Sequence, residues 1–336
     1  MKRQQAATKR PISQRNVATA QALAWAKDAA TPRRMNTQTS DMHPTLRRGL
    51  AAALAAYVMW GLLPLYFHAL RDVPPLELVG WRVLFTVPVC FAIVAMRKQG
   101  AEVRAALTDW RVLGQLVLSA LLIGGNWLIY VIAINNGHVL ATSLGYYINP
   151  MINVLIGTLF LGERLTKVQW AAVALAGVGI ALLLAGAVET LAVALSLAFT
   201  FAFYGLVRKK APVGSVPGLT VETLVLLAPA LAIVSIAAAG PQGTSLTMGG
   251  HITPMLVGAG LATAVPLMLF AVAARSMPLS TLGFVQFLSP TIAFVLGLTV
   301  FGEKLEPARL ACFALIWASI AIYSWDMLRR ARTATA

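Results

Sequence analysis

The chain has 336 residues, of which 58% are hydrophobic and 12% charged, with a mean hydropathy of +0.75. A soluble domain carries about a quarter charged residues, so this chain cannot supply a water-exposed surface and reads as an all-α polytopic membrane protein. Its net charge of +15 would suit a polyanion, but ten Lys and Arg against Asp28 and Asp41 place +8 of it in residues 1–48. In a membrane chain such an excess marks the cytoplasmic side, and no nucleic-acid partner is expected.

Residues 1–48 lack the apolar core of a secretory signal and read as a disordered basic tail rich in Gln, Thr, Ala and Arg. Met35 and Met42 offer alternative translation starts within it. Ten apolar runs follow, predicting transmembrane helices at approximately 49–70, 76–96, 112–134, 138–161, 167–186, 189–207, 215–238, 253–274, 278–301 and 307–328. Most connections are short, so sequence neighbours are expected to pack antiparallel. The longest, Gly240 to Ile252, holds no Lys or Arg. Positive charge gathers at Arg97, Lys98, Arg104 and Arg111, at Arg164 and Lys167, at Arg208, Lys209 and Lys210, at Arg275, and in the basic tail 329–336. The opposite side carries only Arg71, Lys304 and Arg309, which predicts that both termini are cytoplasmic.

Cys90 and Cys312 fall within apolar runs and read as inert buried thiols. His43, His68, His138 and His251 are scattered without metal-ligand spacing, so neither a metal nor a cofactor is expected.

Residues 144–165, LGYYINPMINVLIGTLFLGERL, return as FVQFLSPTIAFVLGLTVFGEKL at 284–305. The 140-residue offset pairs Pro150 with Pro290, Gly157 with Gly297 and Gly162-Glu163 with Gly302-Glu303. It also aligns the segment from Asn126 with that from Pro266, and a slightly larger offset pairs LAAYVMWGL (54–62) with AFTFAFYGL (198–206). Each copy, 49–186 and 187–328, holds five predicted helices. Five is odd, so the second copy enters the membrane from the other side. The expectation is two five-helix inverted-topology repeats, an architecture suited to alternating access by a transporter.

LAAYVMWGLLPLYFHAL, WRVLFTVPVC, NWLIYVIAINNGHVLATSLGYYINP and GLTVETLVLL resemble the RarD family, a branch of the EamA-type drug/metabolite transporters, from about residue 49 to 328. The resemblance implies ten helices, two EamA units and a bacterial inner-membrane location, and it names no substrate. No Walker A, HExxH or GxSxG string is present, so ATP hydrolysis and intramembrane enzymology are disfavoured. A channel-like facilitator is the alternative to a carrier.

Arg82 and Glu222 are 140 residues apart, six and seven residues into their helices. Intramembrane charges are costly and mark function by default. They are expected to bracket a central cavity, shallow on opposite sides and separated by roughly 10 Å of depth, with Glu222 a candidate proton-coupling group. Tyr146, Asn149 and Asn153 share one helix face, and the offset carries them to Gln286, Ser289 and Ala293. Both sets lie beside Pro150 or Pro290, which bend the helix and free a carbonyl, as a cavity wall or gate requires. Asn126 and Tyr130, with Trp127 beside them, and Tyr57 and Trp60 with Pro64 offer polar and aromatic surface to a solute. The expected partners are a small amphiphilic or amino-acid-like molecule and the bilayer. The sequence carries no sign of an oligomeric state. The Gly-Glu-Arg/Lys-Leu strings read as structural helix ends.

Overall fold

The computed structural model describes residues 42–136, 139–184, 191–241, 243–302 and 307–333. Most of the basic tail, the ends of the fifth and sixth predicted helices, and Glu303, Lys304 and Leu305 of the second Gly-Glu string lie outside them. Among the described residues every regular element is helical. The helices are α1 (Met42–His68), α2 (Pro75–Met96), α3 (Gly100–Thr108), α4 (Trp110–Asn135), α5 (Val139–Leu161), α6 (Lys167–Leu184), α7 (Leu191–Lys210), α8 (Ser215–Ala239), α9 (Ile252–Ser276), α10 (Leu279–Gln286), α11 (Leu288–Thr299) and α12 (Pro307–Thr333).

Nine stretches among them are long and apolar enough to cross a bilayer, with α10 and α11 together forming one, Leu279–Thr299. The apolar part of α6, Lys167–Leu182, falls short of the roughly 20 residues a span needs. Three elements depart from expectation. α3 occupies what read as a loop, burying Val103 and Ala106 against α8. The run expected as a single helix at 278–301 breaks at Phe287, so Pro290 stands in the first turn of α11, where a missing N–H costs nothing. Pro150, by contrast, lies inside an α5 that continues past it. The Gly240–Ile252 loop contains a 3-10 turn, Ser245–Met248. Glu77 of α2 ties that turn down, accepting from Ser245 N at 2.8 Å, Ser245 Oγ at 2.6 Å and Thr244 Oγ1 at 2.8 Å.

The helices pack in a pattern tied to the repeat. α2 packs on α8, α5 on α10 and α6 on α12, so each of these helices meets the one that matches it across the 140-residue offset. Without a hydrophobic force between helices in lipid, contact depends on close backbone approach through small residues. Gly283 of α10 lies against Pro150, where an added Cβ would sit 2.6 Å from the carbonyl oxygen. α2 and α9 meet as tightly at Gly260, whose Cβ would run into the Phe85 carbonyl. Gly260→Ala is therefore expected to destabilise the fold by about 1–3 kcal/mol, because backbone and not a flexible side chain must move. Thermal unfolding in detergent measures this, and an unchanged midpoint would contradict the close approach.

Candidate functional site

α1, α2, α4, α5, α7, α9, α10 and α11 surround a cavity of about 320 Å³. Of the residues singled out in the sequence, Tyr57, Trp60, Arg82, Asn126, Tyr130, Tyr146, Asn149, Gln286, Ser289 and Pro290 line it, together with Pro64, Trp127 and Ala293. Pro150 and Glu222 do not line it.

Arg82 enters from α2. Its Nε donates to Thr263 Oγ1 of α9 at 3.1 Å, and its guanidinium lies 4.8 Å from the Trp127 ring centroid and 5.2 Å from that of Phe67. Aromatic faces attract a cation through their quadrupole while shielding it from lipid. Tyr130 and Tyr146 stand beside one another on the same wall, with ring centroids 6.3 Å apart.

The polar residues before the two prolines form one connected set. Gln286 Nε2 donates to Asn149 Oδ1 at 2.7 Å, and Asn153 Nδ2 donates to Gln286 Oε1 at 2.7 Å and to Asn149 Oδ1 at 3.1 Å. Asn149 Nδ2 reaches Ala198 O of α7 at 2.9 Å. Asn149 and Gln286 thus line the cavity and bind helix to helix at once. Asn126 does the same from α4, donating to Leu197 O and to Thr200 Oγ1, both at 2.9 Å.

A cluster of aromatic rings continues this wall through Tyr57, Trp60 and Phe201. Phe270 of α9 is its hub, 5.2 Å from Phe201, 5.7 Å from Trp60, 5.7 Å from Tyr204 and 6.5 Å from Tyr57 between centroids. Tyr57 and Tyr204 are wholly buried, and no hydrogen-bond partner for the Tyr57 hydroxyl exists among the described residues.

Glu222 was expected to bracket the cavity with Arg82. It lies instead in a separate buried group, paired with Arg208 of α7 at 3.4 Å and accepting from Ser119 Oγ of α4 at 2.6 Å. Both charged side chains are essentially inaccessible. Arg208 had read as one of three loop cations, but helix α7 continues through Lys210 and divides them. Arg208 turns inward, donating to Ser215 O at 3.1 Å as well. Lys209 caps the end of α9 through Ala274 O at 3.0 Å and Met277 O at 2.5 Å, and Lys210 is exposed. Gly218 carries the legible trace of this pairing. It lies one turn before Glu222, and a Cβ there would collide with the Arg208 guanidinium.

The Gly-Glu string of α5 does more than end a helix. Gly162 takes φ +66°, as Gly302 does after α11, the left-handed geometry that closes a helix. Glu163 then caps α10, accepting from Leu279 N at 2.7 Å, Ser280 N at 2.9 Å and Ser280 Oγ at 2.7 Å. A carboxylate at a helix N-terminus satisfies orphan N–H groups and meets the positive end of the dipole.

Residues 47–185 match the EamA-like transporter family. The chain is 44% identical to an uncharacterized transporter of Pseudomonas aeruginosa over 287 residues, covering 85% of this chain and 96% of that one. It is 40% identical to the protein RarD of Escherichia coli, covering 84% and 95%, and 41% identical to the protein RarD of Streptomyces exfoliatus, covering 86% and 92%. A crystal structure of a protein only 20% identical superposes with a TM-score of 0.66 over 82% of this chain and 97% of that one, which is a likeness of fold. With RarD proteins matched at such identity over most of its length, the chain belongs to the RarD family of EamA-type membrane transporters.

Proposed function

We propose that the chain is a secondary carrier of a small amphiphilic or amino-acid-like solute, working by alternating access in a bacterial inner membrane. In this reading ten helices form two inverted five-helix repeats, 49–186 and 187–328, with both termini in the cytoplasm. The observation that carries the proposal is that matched positions of both copies wall one cavity. Ile123 and Thr263, Trp127 and Leu267, Tyr146 and Gln286, and Asn149 and Ser289 all line it, and each pair is related by the 140-residue offset. Tyr57 and Phe201, matched at the larger offset, line it too. A site made jointly by two inverted copies can be closed from either side by equivalent parts. Packing of α2 on α8, α5 on α10 and α6 on α12 supports the same symmetry.

In this scheme the ring cluster around Phe270 closes one end of the cavity, and Pro150 within α5 and the break at Phe287 just before Pro290 let these segments bend as it opens. The buried Glu222 is the group proposed to take up a coupling proton. Metabolite profiling of deletion and overexpression strains nominates solutes, and flux into proteoliposomes then tests them. Saturable flux with counterflow is expected. Electrodiffusive current would convict a channel instead.

A further inference from the structure

We propose that the solute this cavity is built for is a net anion, with a carboxylate or comparable group docked on Arg82 and a planar or apolar body laid against the aromatic wall. The inference rests on the carrier reading for its biological role, but binding tests it separately.

Charge balance is the first argument. Arg82 is the one charged side chain among the described residues lining the cavity, and no Asp or Glu joins it there. Two arginines turned into the bundle are treated differently. Arg208 has Glu222 at 3.4 Å, whereas Arg82 has a neutral hydroxyl and two rings. A guanidinium without a counter-charge is expensive at membrane depth, and a bound anion removes that cost on each loading.

Donor geometry is the second. A guanidinium carries five N–H donors in a planar fork, and among the described residues only the Nε donor of Arg82 is engaged, on Thr263. The four on Nη1 and Nη2 remain, the arrangement that receives a carboxylate through two parallel hydrogen bonds. Trp127 and Phe67 hold the guanidinium from its sides, so the fork is positioned before the solute arrives.

The supply of acceptors is the third, and it narrows the solute class. An ammonium group needs acceptor oxygens. Asn149 Oδ1 already takes two N–H groups and Gln286 Oε1 takes one. With the Arg82 fork open and no carboxylate on the wall, the cavity favours an anion over an amine, and over a zwitterion whose ammonium would meet no counter-charge. Its volume of about 320 Å³ lies at the small end of solute pockets, which run from roughly 300 to 1,000 Å³.

The test uses the full-length chain in lipid nanodiscs and four probes sharing one phenyl body: phenylacetate, phenylacetamide, phenethylamine and phenylalanine. Quenching of tryptophan emission and the shift of the thermal midpoint report binding, since Trp60 and Trp127 line the cavity. Phenylacetate is expected to bind about tenfold more tightly than the amide, the effect of a charged hydrogen-bonded pair, with the amine weakest. Arg82→Gln should erase the preference for acid over amide while leaving amide binding in place, which certifies folding. Arg82→Lys should keep part of the preference, and Thr263→Val, which removes the acceptor that orients the guanidinium, should weaken acid binding alone. Tightest binding of the amine or zwitterion, an acid preference unchanged in Arg82→Gln, or no binding by any probe would overturn the inference. Selective acid binding without saturable flux would keep the inference and sink the carrier reading. Saturable flux of amines untouched by Arg82→Gln would do the reverse.

Discussion

Glu222→Ala is expected to destabilise the folded chain by about 3–5 kcal/mol, because it leaves the Arg208 guanidinium buried without a counter-charge. The pair is sealed: the Arg208 and Glu222 side chains are 0% and 1% exposed. Breaking it strands a charge, whereas removing it whole does not. The double replacement Arg208→Met with Glu222→Leu should therefore recover most of the lost stability, since apolar residues of similar volume often substitute for a buried pair at little cost. Thermal unfolding of the two single variants and the double variant in one detergent checks this. Equal losses in all three would mean that packing, and not charge, holds α7 to α8 here. Glu222→Gln separates the functional question, because it keeps an acceptor for Ser119 and removes the titrating group. Tyr204 and Arg208 of α7, Cys90 of α2 and Ser119 of α4 face Glu222. If Glu222 couples protons, flux through Glu222→Gln should lose its dependence on the pH gradient while exchange at equal pH persists. Retained gradient dependence would remove Glu222 from that role.

The second large effect concerns Phe270. Replacing it with Ala removes the hub of the cluster that holds Tyr57, Trp60, Phe201 and Tyr204. Large-to-small changes of a buried Phe cost about 3–5 kcal/mol, and here the void adjoins the solute cavity. Phe270→Ala is expected to lower the thermal midpoint and to add a non-saturable leak in proteoliposomes. Phe270→Leu keeps most of the volume and should show a smaller loss with little leak. A Phe270→Ala protein that is destabilised but still tight would make the cluster a packing core and no gate.

The helices were legible because lipid imposes one simple demand: a long apolar run whose backbone bonds close internally. The cavity was legible where that demand was broken twice at one spacing, at Tyr146 and Asn149 and again at Gln286 and Ser289. Arg82 stood out for the same reason, as a charge inside an apolar run. Arg208 escaped because it adjoins Lys209 and Lys210 and looks like a loop cation. Only the course of α7 through Lys210, with the space left by Gly218, turns it inward. α3 escaped because nine residues of mixed polarity carry too little periodicity to separate helix from loop. The break at Phe287 escaped because apolar composition continues across it, and the proline that signals it lies three residues downstream. Partners across space, such as Glu163 with the start of α10, leave no local trace at all.

The carboxamide set of Asn149, Asn153 and Gln286 has a mechanical consequence for a carrier of the proposed kind. It lies where α5 and α10 approach closely, with Gly283 against the Pro150 carbonyl. Two short hydrogen bonds between the helices there resist sliding, yet they occupy so small an area that they oppose rotation only weakly. The two helices would then turn about this point as levers about a fulcrum, their ends sweeping far while the middle stays still. Bulk placed at Gly283 would jam such a hinge without touching any group that holds the solute.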